Sequence, residues 1–130
     1  MAETLQFQLV SPERLLVDER VSEVQIPARQ GYIGVAAGHA PLLSELMDGG
    51  VLSYKAGSVE KTLAVYGGFV EVQSGRVRVL ADAAEFGSEI DLEKAKARLA
   101  AALKADGDDP AALLAEVARA QAAVDAGARR

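Results

Sequence analysis

Apolar and polar positions alternate with a period of two through roughly the first two thirds of this chain. Leu5, Phe7 and Leu9 fall on one face of an extended segment, and Gln6 and Gln8 on the other. Val24 and Ile26 alternate with Glu23 and Gln25 in the same way, and Pro27 is expected to close that run. Ile33 with Val35, Leu52 with Tyr54, and Leu63 with Val65 continue the pattern. Such alternation marks half-buried strands. Val70, Glu71 and Val72 face Arg76, Val77, Arg78 and Val79 across Gln73-Ser74-Gly75, which predicts a hairpin. Lys55-Ala56-Gly57-Ser58 and Asp48-Gly49-Gly50 supply further turns. Short strands at this spacing, with no helical pattern between them, predict an antiparallel β-sandwich or barrel over residues 1–86, the sandwich being the leading expectation.

After Gly87 the period changes to that of a helix. Asp91 is a candidate N-cap, and Leu92, Ala95, Leu99 and Leu103 form one stripe. Ala105-Asp106-Gly107-Asp108-Asp109-Pro110 ends this helix and begins another. Gly107 suits a left-handed stop, Asp109 the next cap and Pro110 the first helical position. Leu113, Val117, Ala120 and Val124 give the second helix a matching stripe, so residues 87–130 read as an antiparallel helical hairpin. The fold class is therefore α+β, a sandwich followed by a hairpin. Its many alanines let helices approach closely and bury little apolar area, so the hairpin is expected to be weakly held.

Composition narrows the partners. Of the 130 residues half are hydrophobic, and the formal net charge is -5. All of that excess lies before Asp91, since residues 91–130 carry 7 acidic and 7 basic side chains. An acidic surface repels phosphate backbones, which argues against nucleic-acid binding. With no cysteine there is neither a disulfide scaffold nor a thiolate metal site. Neither a secretory signal nor an apolar run of about 20 residues is visible, so a soluble cytoplasmic protein is expected.

Candidate chemistry is sparse. His39 is the one histidine, and only Ser44 and Glu45 lie near it downstream; there is no Gly-x-Ser-x-Gly elbow. One histidine also leaves too few ligands for a metal site. Gly31, Gly34 and Gly38 are followed by no phosphate-binding Gly-Lys-Ser/Thr, and Gly67-Gly68 reads as a bulge. Asp18-Glu19 and Asp108-Asp109 suit turns and caps, and Arg129-Arg130 a solvated terminus. No catalytic residue is assigned, and His39 reads as packing a turn shaped by Gly38 and Pro41.

Four ordered segments carry a resemblance. They are Gly34-x-x-x-Gly38-His39-Ala40-Pro41-Leu42-Leu43, Phe7-x-Leu9-Val10-Ser11-Pro12-Glu13, Tyr66-Gly67-Gly68-Phe69-Val70-Glu71-Val72 and Val77-Arg78-Val79-Leu80-Ala81-Asp82. Together, across residues 5–105, they resemble the epsilon subunit of F-type ATP synthases. The resemblance implies a non-catalytic rotor subunit on the cytoplasmic face of a bacterial inner membrane. Its sandwich would bind the gamma subunit and sit on the c-ring, coupling proton-driven rotation to ATP synthesis. The ring-facing loop would map onto Arg29, Gln30, Gly31, Tyr32 and Ile33, alongside the loop of Gly38 and His39. Tyr32 stands where many members carry an acidic residue.

The hairpin would be the regulatory element, folded on the sandwich or extended along gamma into the alpha/beta head to block ATP hydrolysis. Before the terminal Arg129-Arg130 its second helix carries only Arg119, little charge with which to grip the head. Some members bind ATP through Ile/Leu-Asp-x-x-Arg-Ala. Here that place holds Ile90, Asp91, Leu92, Glu93, Lys94 and Ala95, with Arg98 nearby. Lysine is a point charge and lacks the planar fork of arginine, so no resident cofactor is expected and regulatory ATP binding is disfavoured. The competing reading is a stand-alone nucleotide sensor built on Ile90, Asp91, Lys94 and Arg98.

Overall fold

The computed structural model describes residues 3–129; Met1, Ala2 and Arg130 lie outside the described residues. Ten strands form two five-stranded sheets. The first sheet has β1 (Leu5–Val10) flanked by β2 (Leu15–Val21) and β9 (Arg76–Ala81), followed by β8 (Gly68–Gln73) and, at the edge, β5 (Leu42–Glu45). The second runs β10 (Ala84–Phe86), β7 (Val59–Val65), β6 (Gly50–Ala56), β3 (Glu23–Ala28), β4 (Gly31–Ala36). A short 3-10 turn, Gly87–Glu89, leads to α1 (Leu92–Lys104) and α2 (Pro110–Ala128).

The alternation fixes which side chains meet. Phe7, Leu9, Val70, Val72, Val77 and Val79 of the first sheet are buried against Val24, Ile26, Leu52, Tyr54, Leu63 and Val65 of the second. Phe7 and Tyr54 meet as a tilted ring pair with centroids 5.2 Å apart, a favoured aromatic geometry. The expected hairpin forms as β8 and β9, with Val70 opposite Val79 and Val72 opposite Val77.

The structure departs from expectation in three places. The pair β1–β9 is parallel, with Phe7 beside Val77, although every other ladder is antiparallel. Side-chain alternation reports a face and carries no information on direction. Pro27 lies inside β3. Pairing with β6 stops at Gln25↔Ser53, so the missing proline N–H falls beyond that ladder. Gly107 has no positive φ: α1 ends at Ala105, already extended, and needs no left-handed residue.

The hairpin is seated on the outer face of the second sheet. Asp91 caps α1 by accepting from the Lys94 amide, and Asp109 caps α2 by accepting from Ala111 and Ala112, with Pro110 in the first turn. Of the stripe expected on α1 only Ala95 is fully buried, and Leu103 is 66 % exposed. On α2 the buried residues are Ala120, Ala122, Ala123, Ala126 and Gly127. Val117 and Val124 are only half-buried. This helix covers two neighbours at once, α1 and the sheet, and the sheet-facing side uses residues too small to register as a stripe. Below it lie Val51, Ala64 and Ile90. Contact is close enough that a Cβ on Gly49 would collide with the Ala118 carbonyl, and one on Gly87 with the Ala126 carbonyl. Only glycine fits beneath α2 at these two points.

Candidate functional site

The interface residues expected from sequence fall into two places. Arg29 and Gln30 form the turn joining β3 to β4. Arg29 is held there by Glu45 at 3.6 Å and Asp48 at 3.5 Å, and its amide donates to the Glu45 carbonyl. Gly31 opens β4 with φ 140, and Tyr32, 53 % exposed, reaches past Pro27 so that its hydroxyl accepts from the Val51 amide at 2.9 Å. Tyr32 is therefore a structural tie as well as an exposed ring. Gly38, at φ 87, and His39 lie beyond the other end of β4. Five steps of about 3.3 Å each put Gly31 and Ala36 about 17 Å apart. The structure does not bring the two loops side by side.

His39 does local work. Its amide donates to the Ala36 carbonyl, and its Nδ1 lies 2.6 Å from the Ala40 carbonyl. A carbonyl only accepts, so Nδ1 carries the proton. This is the turn role expected of it.

A surface missed by sequence reasoning lies on the outer face of the first sheet. Val10 pairs with Leu15 on β2 and with Leu80 on β9, and Leu80 pairs with Phe69 on β8. Leu15, Leu80 and Phe69 are each at least half exposed, and Leu43 on the edge strand β5 is 73 % exposed. A shallow groove of about 340 Å³ runs beside Val10, Pro12, Phe69 and Leu80. The available signal was the break in alternation: Leu15-Leu16-Val17, Phe69-Val70 and Val79-Leu80-Ala81 each place an apolar residue where a solvent-facing one is due. Contiguous exposed apolar surface of this kind marks a docking face.

Ile90, Asp91, Lys94 and Arg98 do come together. With Glu85, Ala95 and Ala123 they line a groove of about 250 Å³ between the sandwich and the hairpin. Arg98 is already engaged. Its Nε and a terminal nitrogen donate to the two oxygens of Glu116 at 2.7 and 3.2 Å, and its guanidinium lies 6.0 Å from the centre of the Tyr66 ring. Arg119 adds a second contact to Glu116 at 3.4 Å. The Tyr66 hydroxyl donates to Glu85 at 2.5 Å. The hydrogen bond from Arg98 holds the Glu116 carboxyl below its ordinary value and raises the guanidinium above its own. Burial first, and the hydrogen bond to Glu85 second, push the Tyr66 phenol up.

Among the described residues no group of three or more His, Cys, Asp or Glu side chains is arranged to hold a metal ion. Nor is any helix long and apolar enough to cross a membrane. What the surface offers is docking area: an apolar sheet face with an edge strand, two polar loops, and a helical hairpin seated on the second sheet. A β-sandwich so equipped belongs to the class of assembly subunits that act through their faces.

Comparison with known proteins gives the class its family. Residues 4–87 match the family described as the ATP synthase, Delta/Epsilon chain, beta-sandwich domain. The ATP synthase epsilon chain of Solibacter usitatus is 49 % identical over 127 residues, covering 94 % of each chain. That of Rhodospirillum rubrum is 46 % identical over 102 residues, covering 78 % of this chain and 76 % of its own. A chain of the Euglena gracilis mitochondrial ATP synthase, in an OSCP/F1/c-ring assembly, superposes with a TM-score of 0.78 at 26 % identity, covering 98 % of this chain and 82 % of that one. A chain from the central stalk and c-ring of the Tetrahymena thermophila enzyme shares the fold, with a TM-score of 0.67 at 14 % identity over 98 % of this chain and 96 % of that one. The chain belongs to the ATP synthase epsilon family.

Proposed function

We propose that this chain is the epsilon-type rotor subunit of a proton-translocating F1Fo ATP synthase, non-catalytic itself and coupling c-ring rotation to ATP synthesis. The observation that carries this reading is end-to-end correspondence: the match to the Solibacter usitatus epsilon chain spans the sandwich and the hairpin alike. In this reading the apolar face of Leu15, Leu80, Phe69 and Leu43, with its edge strand, docks gamma. The Arg29–Tyr32 turn meets the c-ring. The position is peripheral, on the cytoplasmic face of a bacterial inner membrane.

The hairpin is the regulatory part. Its seat is made of alanine and glycine, and small contacts leave only a few kcal/mol between docked and extended states. The alpha and beta subunits are the partners of the extended state. The groove of Ile90, Asp91, Lys94 and Arg98 serves as a brace for the docked hairpin. Its two cations are balanced by Glu85 and Asp91, so a polyphosphate would meet no excess of positive charge.

The test is a pull-down from the host's membranes with a tagged chain, identifying co-purifying proteins by mass. Recovery of gamma, alpha, beta and c subunits is expected. Recovery of the chain alone, under conditions that keep the synthase intact, sinks the rotor reading.

A further inference from the structure

The polar contacts around Arg98 form a continuous chain from the edge of the second sheet to both helices. Glu85 on β10 fixes the Tyr66 hydroxyl, and the Tyr66 ring receives Arg98 of α1. Arg98 in turn holds Glu116 of α2, which also takes Arg119. We infer that Glu116 is a built-in counter-ion, supplied by the hairpin itself, that keeps Arg98 over Tyr66 and latches both helices onto the sandwich with no added anion.

The geometry supports this in two ways. Arg98 offers a planar fork, and Glu116 takes two of its donors while the ring of Tyr66 lies beside the cation. An anionic ligand entering the groove would have to displace a carboxylate already bidentate, past Glu85 and Asp91. The apolar seat below is built from Ala120, Ala122, Ala123 and Ala126, whose methyl groups contribute little area. The forked ion pair is thus the strongest directional contact that ties α1 to α2 above that seat. The latch concerns the isolated chain, so it stands or falls separately from the rotor reading.

The cysteine-free chain makes the test clean. Cysteines introduced at the exposed positions Ser74 and Lys104 carry spin labels, and the distance distribution between them reports whether the hairpin is seated. For the unaltered Arg98–Glu116 pair one narrow distribution is expected, unchanged by millimolar ATP. Glu116→Gln should broaden it and speed amide exchange along α2 by about fivefold, the scale of a partly exposed ion pair. Exchange in β6 to β9 should stay as it was, which rules out general unfolding. Glu116→Asp should recover part of the loss. If Glu116→Gln leaves the α2 exchange rates unchanged, or if ATP slows exchange in the unaltered chain severalfold, the inference is overturned. A pull-down that still recovers the synthase leaves the rotor reading intact in either event.

Discussion

The sandwich and the hairpin are held by different chemistry. Between the sheets, Phe7, Leu9, Ile26, Leu52, Tyr54 and Leu63 interlock as large side chains, all 2 % exposed or less. Beneath α2, backbone meets backbone at Gly49 against Ala118 and Gly87 against Ala126, and the helix's alanines rest on Val51, Ala64 and Ile90. Large branched and aromatic side chains bind tightly because each removes much area from water. A glycine-alanine seat gives a defined register with little attraction. One region is held by area removed from water, the other by closely matched backbone surfaces.

The sharpest way to break this comparison is to remove a large side chain from the first region. Phe7→Ala should cost about 3–5 kcal/mol and lower the denaturation midpoint of the whole protein, hairpin included. A single methyl in the second region should act differently. Gly49→Ala drives a Cβ into the Ala118 backbone and should cost docking about 1–3 kcal/mol. Amide exchange should then accelerate in α2 while the sandwich midpoint barely moves; equal losses in both regions would refute the distinction. Asp109→Ala removes the acceptor for two amides at the start of α2. A loss of about 1 kcal/mol, visible as reduced helical circular dichroism, is expected.

Titration is the gentlest probe: the acid limb reports on the hairpin, whereas the alkaline limb reads Tyr54 of the sandwich together with Tyr66 at the hairpin seat, whose phenol is raised too. Burial, then the charge of Glu19, raises the Tyr54 phenol of the sandwich to about 12. Its contribution is complete below the ordinary value of about 10 and drains away as pH rises towards the folded value. Glu116 of the hairpin is shifted downward. Its contribution is complete above the ordinary glutamate value of about 4.3 and is lost as pH falls through the lower folded value. Alkaline unfolding should therefore be followed by near-ultraviolet tyrosine signals together with exchange in both regions, and acid loosening by exchange in α2.

How far each region was legible follows from the same chemistry. Alternation works where one face is buried and side chains are large, so Leu5, Phe7 and Leu9 or Val70, Val72, Val77 and Val79 announce their strands. It fails for Val51 and Ala64, which face outward and are nonetheless buried, because a helix covers that sheet. It fails again for α2, where the sheet-facing residues are alanines indistinguishable from those facing solvent. The sequence singles out Arg98 as a candidate nucleotide contact, but its partner Glu116 lies eighteen positions away on another helix. No local pattern links the two. The resemblance places Arg29–Tyr32 alongside Gly38–His39, whereas the length of β4 lies between the two loops, a spacing that motif matching does not report.

The parallel pairing of β1 with β9 also sets a timetable. β1 pairs early with β2, but Phe7 waits for Val77 before the first sheet can close, so one edge of that strand is filled only after about 70 further residues. Contacts this distant along a chain slow folding, because loop closure precedes any reward from packing. The hairpin emerges later still and meets a surface already finished, on which Gly49 and Gly87 wait as two shallow notches.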